Sequence, residues 1–146
     1  MVRRTLIKSI ALACVLSATA YADESDEDAP IPTTMEEAFA ALDAMLSEQD
    51  KEQIRSDEEC EMIRLHFGLG MWMRNNWGLW QGSALADLLT EKGIHHPDDM
   101  SGVILASYWR YLNDLPIELT AQAERIQRTY ETGVIEDYCE INSDDD

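Results

Sequence analysis

The sequence predicts an all-α protein, a single compact domain of about five to six short helices around a central apolar helix. Apolar residues recur at helical spacing along most of the chain. Residues that cap helix starts precede several of these segments, and no strand-like alternation exceeds four residues. The length of 146 residues fits one domain, and the content of 45% hydrophobic and 27% charged residues is that of a globular protein.

The first 22 residues have the organisation of a secretory signal peptide. Three basic residues precede a short apolar stretch at 10–18, and Ala20-Tyr21-Ala22 fits the small-x-small cleavage pattern. The apolar stretch is shorter than the ~20 residues that a membrane span needs. We therefore expect cleavage before Asp23 and a periplasmic or secreted protein, with a lipid anchor on Cys14 as the alternative.

Two helices are expected at the start of the mature chain. Residues 23–32 are acidic and contain two prolines, so we expect a disordered lead-in before a helical domain at 33–131. Thr34 and Glu37 fit a capping box, and helical spacing of apolar residues continues from there to Leu46. Ser47 begins a short polar helix or turn that extends to about Arg55.

The third segment, about 57–76, is predicted to be the central, buried helix. It is apolar nearly all round, with one stripe of Met62, Leu65, Leu69, Trp72 and Met73 and further bulk from Ile63, Phe67 and Met71. Gly68 and Gly70 lower its helix propensity, so we expect a neighbouring helix or ring to approach closely there.

Three further helices follow the third segment. Ser83 can cap a fourth helix that Gly93 stops. A fifth begins at His96, Asp98 or Asp99 and is broken by Pro116, and the last runs from about Glu118 to Glu131. Residues 132–146 form an acidic C-terminal tail.

Two of the three cysteines, Cys60 and Cys139, remain after signal cleavage. An even number of cysteines in an oxidising compartment indicates one disulfide bridge. The alternative is two unpaired thiols, buried or joined between chains.

Two short stretches, 66–80 and 93–101, contain all three histidines and three of the four tryptophans. Arg74 ends a mostly apolar helix and needs a carboxylate partner, so we expect it to bond Asp98 or Asp99, with a histidine close by. This cluster is either a structural fastening or a binding site, and the tryptophans either fill the core or line a groove. The candidate binding residues are His66, Arg74, Asn75, Trp77, Trp80, His96, Asp98, Asp99 and Ser101.

The same stretches favour binding over catalysis. No HExxH motif, EF-hand loop, CxxC pair or glycine-rich phosphate loop is present, so we predict no metal site and no cofactor. No catalytic residues are assigned. A hydrolase that uses His66 or His96 with Asp98 or Asp99 is the alternative.

Both stretches resemble one bacterial family, domain of unknown function 6794. The motifs are Arg74-Asn75-x-Trp77-x-Leu79-Trp80 and His96-Pro97-Asp98-Asp99-Met100-Ser101, and the resemblance extends over about Pro32 to Tyr130. His66 and Gly70 also fit it. The resemblance implies a small, mainly helical domain and supplies no catalytic residues.

The charge balance restricts the partners. The chain has 11 basic and 29 acidic residues, a net charge of −18. The signal peptide contains basic residues and no acidic ones, so its loss makes the net charge more negative. Nucleic-acid binding and docking on anionic lipid both require a basic surface. We therefore expect an exported, non-enzymatic binding module for a cationic protein or peptide, with no membrane span after signal cleavage.

Overall fold

The computed structural model describes residues 30–134, so the predicted signal peptide lies outside the described residues. A 3-10 helix at Glu59–Leu65 and a π-helix at His66–Gly70 lead directly into an α-helix, and we call this run, 59–76, the composite helix. Residues 30–134 contain no strand, which confirms the all-α fold. The α-helices are α1 (Met35–Met45), α2 (Glu48–Ser56), α3 (Met71–Asn76), α4 (Ala84–Glu91), α5 (Pro97–Leu112) and α6 (Leu119–Thr132).

Side-chain caps begin the helices at the predicted places. The Thr34 hydroxyl accepts a hydrogen bond from the Glu37 amide at 3.2 Å, which satisfies one of the free donors at the start of α1. In the predicted capping box, the Glu37 carboxylate would accept a hydrogen bond from the Thr34 amide. It accepts instead from the Thr33 amide and hydroxyl, both at 2.7 Å. The other side chains that cap a helix start are Ser47 for α2, Ser83 for α4 and His96 for α5.

The central apolar helix is α5, not the predicted segment at 57–76. It packs against α1, α2, α4, α6 and all three parts of the composite helix. Its Ile104 and Tyr108 are fully buried, as are the small polar side chains of Ser101 and Ser107. The composite helix lies on the surface of this core, since its Met62 and Met73 are buried whereas its Ile63, Phe67 and Met71 are exposed.

The two glycines of the π-helix have different surroundings. A Cβ atom on Gly70 would lie 3.3 Å from Arg74 Nη1 and 3.5 Å from Leu105 Cδ1, so the predicted close approach is confirmed there. A Cβ on Gly68 would meet nothing within 4 Å, so the same expectation was wrong for that residue.

The end of α6 closes the described part of the chain. Gly133 has φ +68°, a left-handed conformation that terminates a helix and turns the chain. Cys139 and the remaining acidic tail lie outside the described residues, so the disulfide with Cys60 stays a prediction. Within residues 30–134, no helix combines the length and the apolar character needed to cross a membrane.

Candidate functional site

The guanidinium of Arg74 joins α3 to the start of α5. Its Nε lies 3.0 Å from Asp98 Oδ1, and Nη1 donates to the Ser101 hydroxyl at 2.8 Å. Nη2 donates to the backbone carbonyl of His66 at 3.3 Å. Arg74 is only 5% exposed, and each of its three guanidinium nitrogens has an acceptor. The predicted pairing of Arg74 with Asp98 or Asp99 is therefore confirmed, and Asp98 is the partner.

Ser101 completes this fastening from within α5. Its hydroxyl accepts from Arg74 and donates to the Asp98 carbonyl at 2.9 Å, and the residue is fully buried. The buried hydroxyl therefore links the Arg74 guanidinium to the first turn of α5.

Both predicted histidines lie beside Asp98. His66 Nε2 is 3.8 Å from Oδ1, and His96 Nδ1 is 3.7 Å from Oδ2. The His96 Nδ1 also accepts a hydrogen bond from the Asp98 amide at 3.2 Å, which caps α5.

This geometry fits a fastening better than a catalytic dyad. Both histidine to carboxylate separations are longer than a direct hydrogen bond. Asp98 already accepts from a buried guanidinium. Among residues 30–134, no group of three or more His, Cys, Asp or Glu side chains could hold a metal ion. The hydrolase alternative gains no support from these contacts.

The two candidate tryptophans have separate positions. Trp77 is 4% exposed and meets Trp72 edge to face, with ring centroids 5.7 Å apart, so it fills the core. Trp80 is 52% exposed and lies edge-on to the His96 ring at 6.0 Å. The structure therefore places Trp77 inside and Trp80 at the surface, beside the polar cluster. Asn75 is exposed on α3.

A groove of about 440 Å³ lies between the 3-10 helix and α6, with α5 as its floor. His66, Asp98 and Asp99 line the end near the start of α5, where the Tyr130 hydroxyl donates to Asp99 Oδ2 at 2.7 Å. Its apolar lining includes Met62, Ile63, Val103, Leu105, Ala106 and Ile126. The groove thus joins the polar cluster to an apolar channel along α5.

Four side chains that the sequence analysis expected to be buried are exposed on the composite helix. Ile63, Phe67 and Met71 are four residues apart and are 70%, 79% and 48% exposed, and Trp72 beside them is 37% exposed. We call these four side chains the apolar ridge. Their regular spacing was visible in the sequence, but it was interpreted as a second buried face.

A family model described as Domain of unknown function (DUF6794) matches residues 31–112, more than half of the chain. The chain belongs to this family. The match contains the composite helix, the Arg74 cluster and all of α5. It ends before α6, whereas the resemblance seen in the sequence extended to Tyr130. No curated protein and no solved structure matches the chain.

An ion-pair network that the sequence analysis missed joins the DUF6794 region to the residue before α6. Arg110 holds Glu59 through two hydrogen bonds, at 2.6 Å from Nε and 2.8 Å from Nη2, and its Nη1 donates to Glu118 at 2.9 Å. Hydrogen bonding to Glu59 is the main cause that raises the pKa of Arg110. The signal was a cation within a largely apolar helical segment, since the same argument had found a partner for Arg74.

A second missed contact of the DUF6794 region ties α1 to α5. Asp43 accepts from the hydroxyls of Tyr108 at 2.8 Å and Tyr111 at 3.0 Å. Burial, followed by the hydrogen bond to Asp43, raises the pKa of Tyr108 far above its usual value. Asp43 lies on the polar side of the α1 pattern, and nothing in the sequence indicates which tyrosines it contacts.

Proposed function

We propose that this protein is an exported, non-enzymatic interaction module that binds a cationic amphipathic segment of a protein or peptide through the apolar ridge. The observation that carries the proposal is the exposure of Ile63, Phe67 and Met71 on a strongly acidic chain. The Arg74 cluster then serves the module by fixing the composite helix, which bears the ridge, to α5.

The ridge has the composition of a protein-binding surface. Burial of one large apolar side chain contributes about 1.5–3 kcal/mol, so leaving Phe67 and Ile63 mostly in water forgoes a substantial stabilisation. Clustered exposed apolar side chains mark interaction sites, whereas single ones are ordinary. Aromatic residues and methionine are enriched in interfaces, and the flexible side chain of Met71 can adapt to a partner's shape.

The charge of the chain supports a basic partner. Acidic residues outnumber basic ones 29 to 11, and the exposed Glu58 and the half-buried Glu61 stand at the start of the composite helix. Opposite charge accelerates association and selects among partners. The same negative field opposes binding to anionic lipid. A segment with an apolar face and flanking lysines or arginines therefore complements both properties of this surface.

Export is part of the proposal and is supported by the first 22 residues. Their basic start, short apolar stretch and Ala20-Tyr21-Ala22 site are features of a cleaved signal peptide. The mature chain would begin at Asp23, and its partner would lie in the periplasm or outside the cell.

Defined peptides test the binding proposal. Two synthetic amphipathic helical peptides have the same apolar face, and their polar faces carry lysine in one and glutamate in the other. Isothermal titration calorimetry measures the Kd of each peptide for the protein. We expect the lysine peptide to bind, with an affinity that falls as salt concentration rises. Phe67→Ser should raise its Kd at least about tenfold, the equivalent of about 1.4 kcal/mol.

The matched control is Leu115→Ser. Leu115 is also an exposed apolar residue, at 44%, but it follows α5 at the opposite end from the cluster. Its substitution should leave the Kd unchanged. Equal binding of the two peptides, or equal loss in both variants, would contradict the proposal. Binding of phosphatidylglycerol vesicles that depends on Phe67 would assign the ridge to a membrane instead.

A further inference from the structure

We propose that the groove between the 3-10 helix and α6 is a second part of the partner-binding surface. It takes one long apolar side chain of the cationic segment, while Asp99 bonds a lysine or arginine of the same segment. The inference rests on the proposed function and deepens it, because it names the side chains that the partner must present. The groove volume of about 440 Å³ lies within the range of about 300–1,000 Å³ that is usual for ligand pockets.

The groove and the apolar ridge form one continuous surface. Ile63 belongs to the ridge and is 70% exposed, and it also lines the groove. The Phe67 ring meets the His66 ring edge to face, with centroids 4.9 Å apart, and His66 lines the groove as well. A segment that covers Ile63 and Phe67 therefore passes over the mouth of the groove. One further apolar side chain of that segment can enter the groove while the segment stays on the ridge.

The floor of the groove is open at Gly102. This glycine lies within α5, where glycine is less favourable than alanine. Its φ is not in the left-handed region, and a Cβ atom there would meet nothing within 4 Å among the described residues. Ala106, one turn later, also lines the groove, so the two small residues leave space between Ile63 and Ile126. An inserted apolar side chain of the partner would fill this space.

The acidic end of the groove offers one carboxylate to a cation. Asp98 is already paired with Arg74, whereas Asp99 accepts from the neutral hydroxyl of Tyr130. Among residues 30–134, no cation forms a salt bridge with Asp99. The positive end of the α5 dipole is equivalent to about half a charge, so it offsets only part of the Asp99 charge. A lysine or arginine of the partner is therefore attracted to this end.

The rest of the groove fixes the orientation and spacing of the partner's side chains. Glu59 at the other end is already paired with Arg110, and Arg125 is a cation in the lining, so a basic side chain is directed to Asp99. Asp99 and Gly102 are three residues apart, about 4.5 Å along the α5 axis. Positions three or four apart on a helix are separated by about 5–6 Å. A helical partner thus presents a long apolar residue and a lysine or arginine at this spacing.

Octylammonium chloride probes the groove independently of a peptide, because it combines an eight-carbon chain with one cation. It is titrated into the full chain, and NMR of the methyl groups measures where it binds and its Kd. We expect shifts of the Val103 and Ile126 methyl groups, which line the groove, and no shift of Leu85, which is fully buried on α4. Octanoate has eight carbons and a carboxylate, so it should bind at least about tenfold more weakly near Asp99.

Filling of the groove provides the decisive comparison. Gly102→Leu and Ala106→Leu each place an apolar side chain on the floor, whereas Ala40→Leu changes an exposed position of α1 outside the groove lining. We expect the first two to raise the Kd of octylammonium and of the lysine peptide at least about tenfold, and Ala40→Leu to change it less than about twofold. Because Gly102→Leu replaces a helical glycine, urea unfolding should show unchanged or higher stability. Weaker binding in that variant then does not result from loss of the fold.

A second comparison tests the basic contact. Asp99→Asn removes the charge but keeps an oxygen that can accept from Tyr130, and Glu36→Gln removes one charge from the exposed first turn of α1. We expect Asp99→Asn to raise the Kd of the lysine peptide about threefold to fivefold, the effect of one ion pair near a surface. Glu36→Gln should change it less than about twofold. Equal effects would show a general influence of net charge and contradict the contact.

Three other results would overturn the inference. Octylammonium that leaves the Val103 and Ile126 methyl groups unshifted rules out the site. Equal effects of Ala106→Leu and Ala40→Leu show that the partner does not enter the groove. Nuclear Overhauser contacts from the groove methyl groups to residues 135–146 in the free protein would show that the chain's own C-terminal segment fills the groove.

The same measurements separate this inference from the proposed function. If Phe67→Ser weakens binding of the lysine peptide and Ala106→Leu does not, the partner binds the ridge alone and the inference about the groove is wrong. If octylammonium binds in the groove and the lysine peptide does not bind at all, the ridge proposal is wrong and the groove stands as a site for an apolar cation.

Discussion

Removal of the Asp98 carboxylate should destabilise the protein much more than removal of its neighbour Asp99. Asp98→Ala leaves the guanidinium of Arg74, whose side chain is 6% exposed, with only a hydroxyl and one carbonyl as acceptors. Loss of one partner from a buried ion pair costs about 3–5 kcal/mol. The carboxylate side chain is 43% exposed, so its own desolvation in the folded protein is incomplete, and we expect about 3 kcal/mol.

Asp99→Ala is the matched control for this measurement. Both aspartates lie in the first turn of α5, where an acidic side chain contributes about 0.3–1 kcal/mol through the helix dipole. Asp99 bonds the hydroxyl of Tyr130, which is 70% exposed, so we expect its loss to cost about 1 kcal/mol. Urea unfolding followed by circular dichroism gives both free energies of unfolding.

A double-mutant cycle separates the pair from other effects. Arg74→Met keeps an apolar side chain of similar length and removes the buried charge, so Asp98→Ala in that background should cost only about 1 kcal/mol. The expected coupling between Arg74 and Asp98 is therefore about 2 kcal/mol. If Asp98→Ala and Asp99→Ala had equal costs, or if the cycle gave no coupling, the assignment of Arg74 as a charged fastening would be wrong.

Three further predictions concern pH, glycine and export. Because the pKa of Tyr108 is raised in the folded state, its stabilisation is fully present below the unfolded value of about 10 and decreases as pH rises above it. Urea midpoints at about pH 8 and about pH 11 should therefore differ less in Tyr108→Phe than in the native sequence. Gly68→Ala should stabilise the protein by about 0.5–1 kcal/mol and Gly70→Ala should destabilise it by at least about 1 kcal/mol in thermal unfolding, because only the second Cβ meets close neighbours. Intact-mass spectrometry of the exported protein should show a chain that starts at Asp23, and a full-length product would contradict signal cleavage.

The helix starts were predictable from the sequence because capping is local. Thr34, Ser47, Ser83 and His96 each satisfy backbone donors within three residues, and such bonds depend little on the rest of the fold. The pairing of Arg74 with one of the two aspartates, though not which of them, was predictable for a different reason. A guanidinium in apolar surroundings needs an acid, and Asp98 and Asp99 formed the acidic cluster of the second motif.

The apolar ridge was not predictable in the same way. The hydrophobic pattern of 57–76 was evaluated with one helical period, whereas the structure contains three kinds of winding there. A pattern of apolar residues does not state which of two apolar faces is covered. Which face is covered depends on how much of the α5 surface is left after its other neighbours have packed against it. Those neighbours are set by tertiary packing.

The mixed winding of the composite helix also has a consequence for insertions and deletions. A 3-10 helix is wound more tightly than an α-helix, and a π turn, which corresponds to one extra residue, is wound more loosely. The two deviations act in opposite directions on the rotational phase of the side chains. Met62 before the π-helix and Met73 after it both reach the core for this reason. A chain shortened by Gly68 alone would rotate one half of the composite helix against the other, so Met62 and Met73 would no longer both lie in the core.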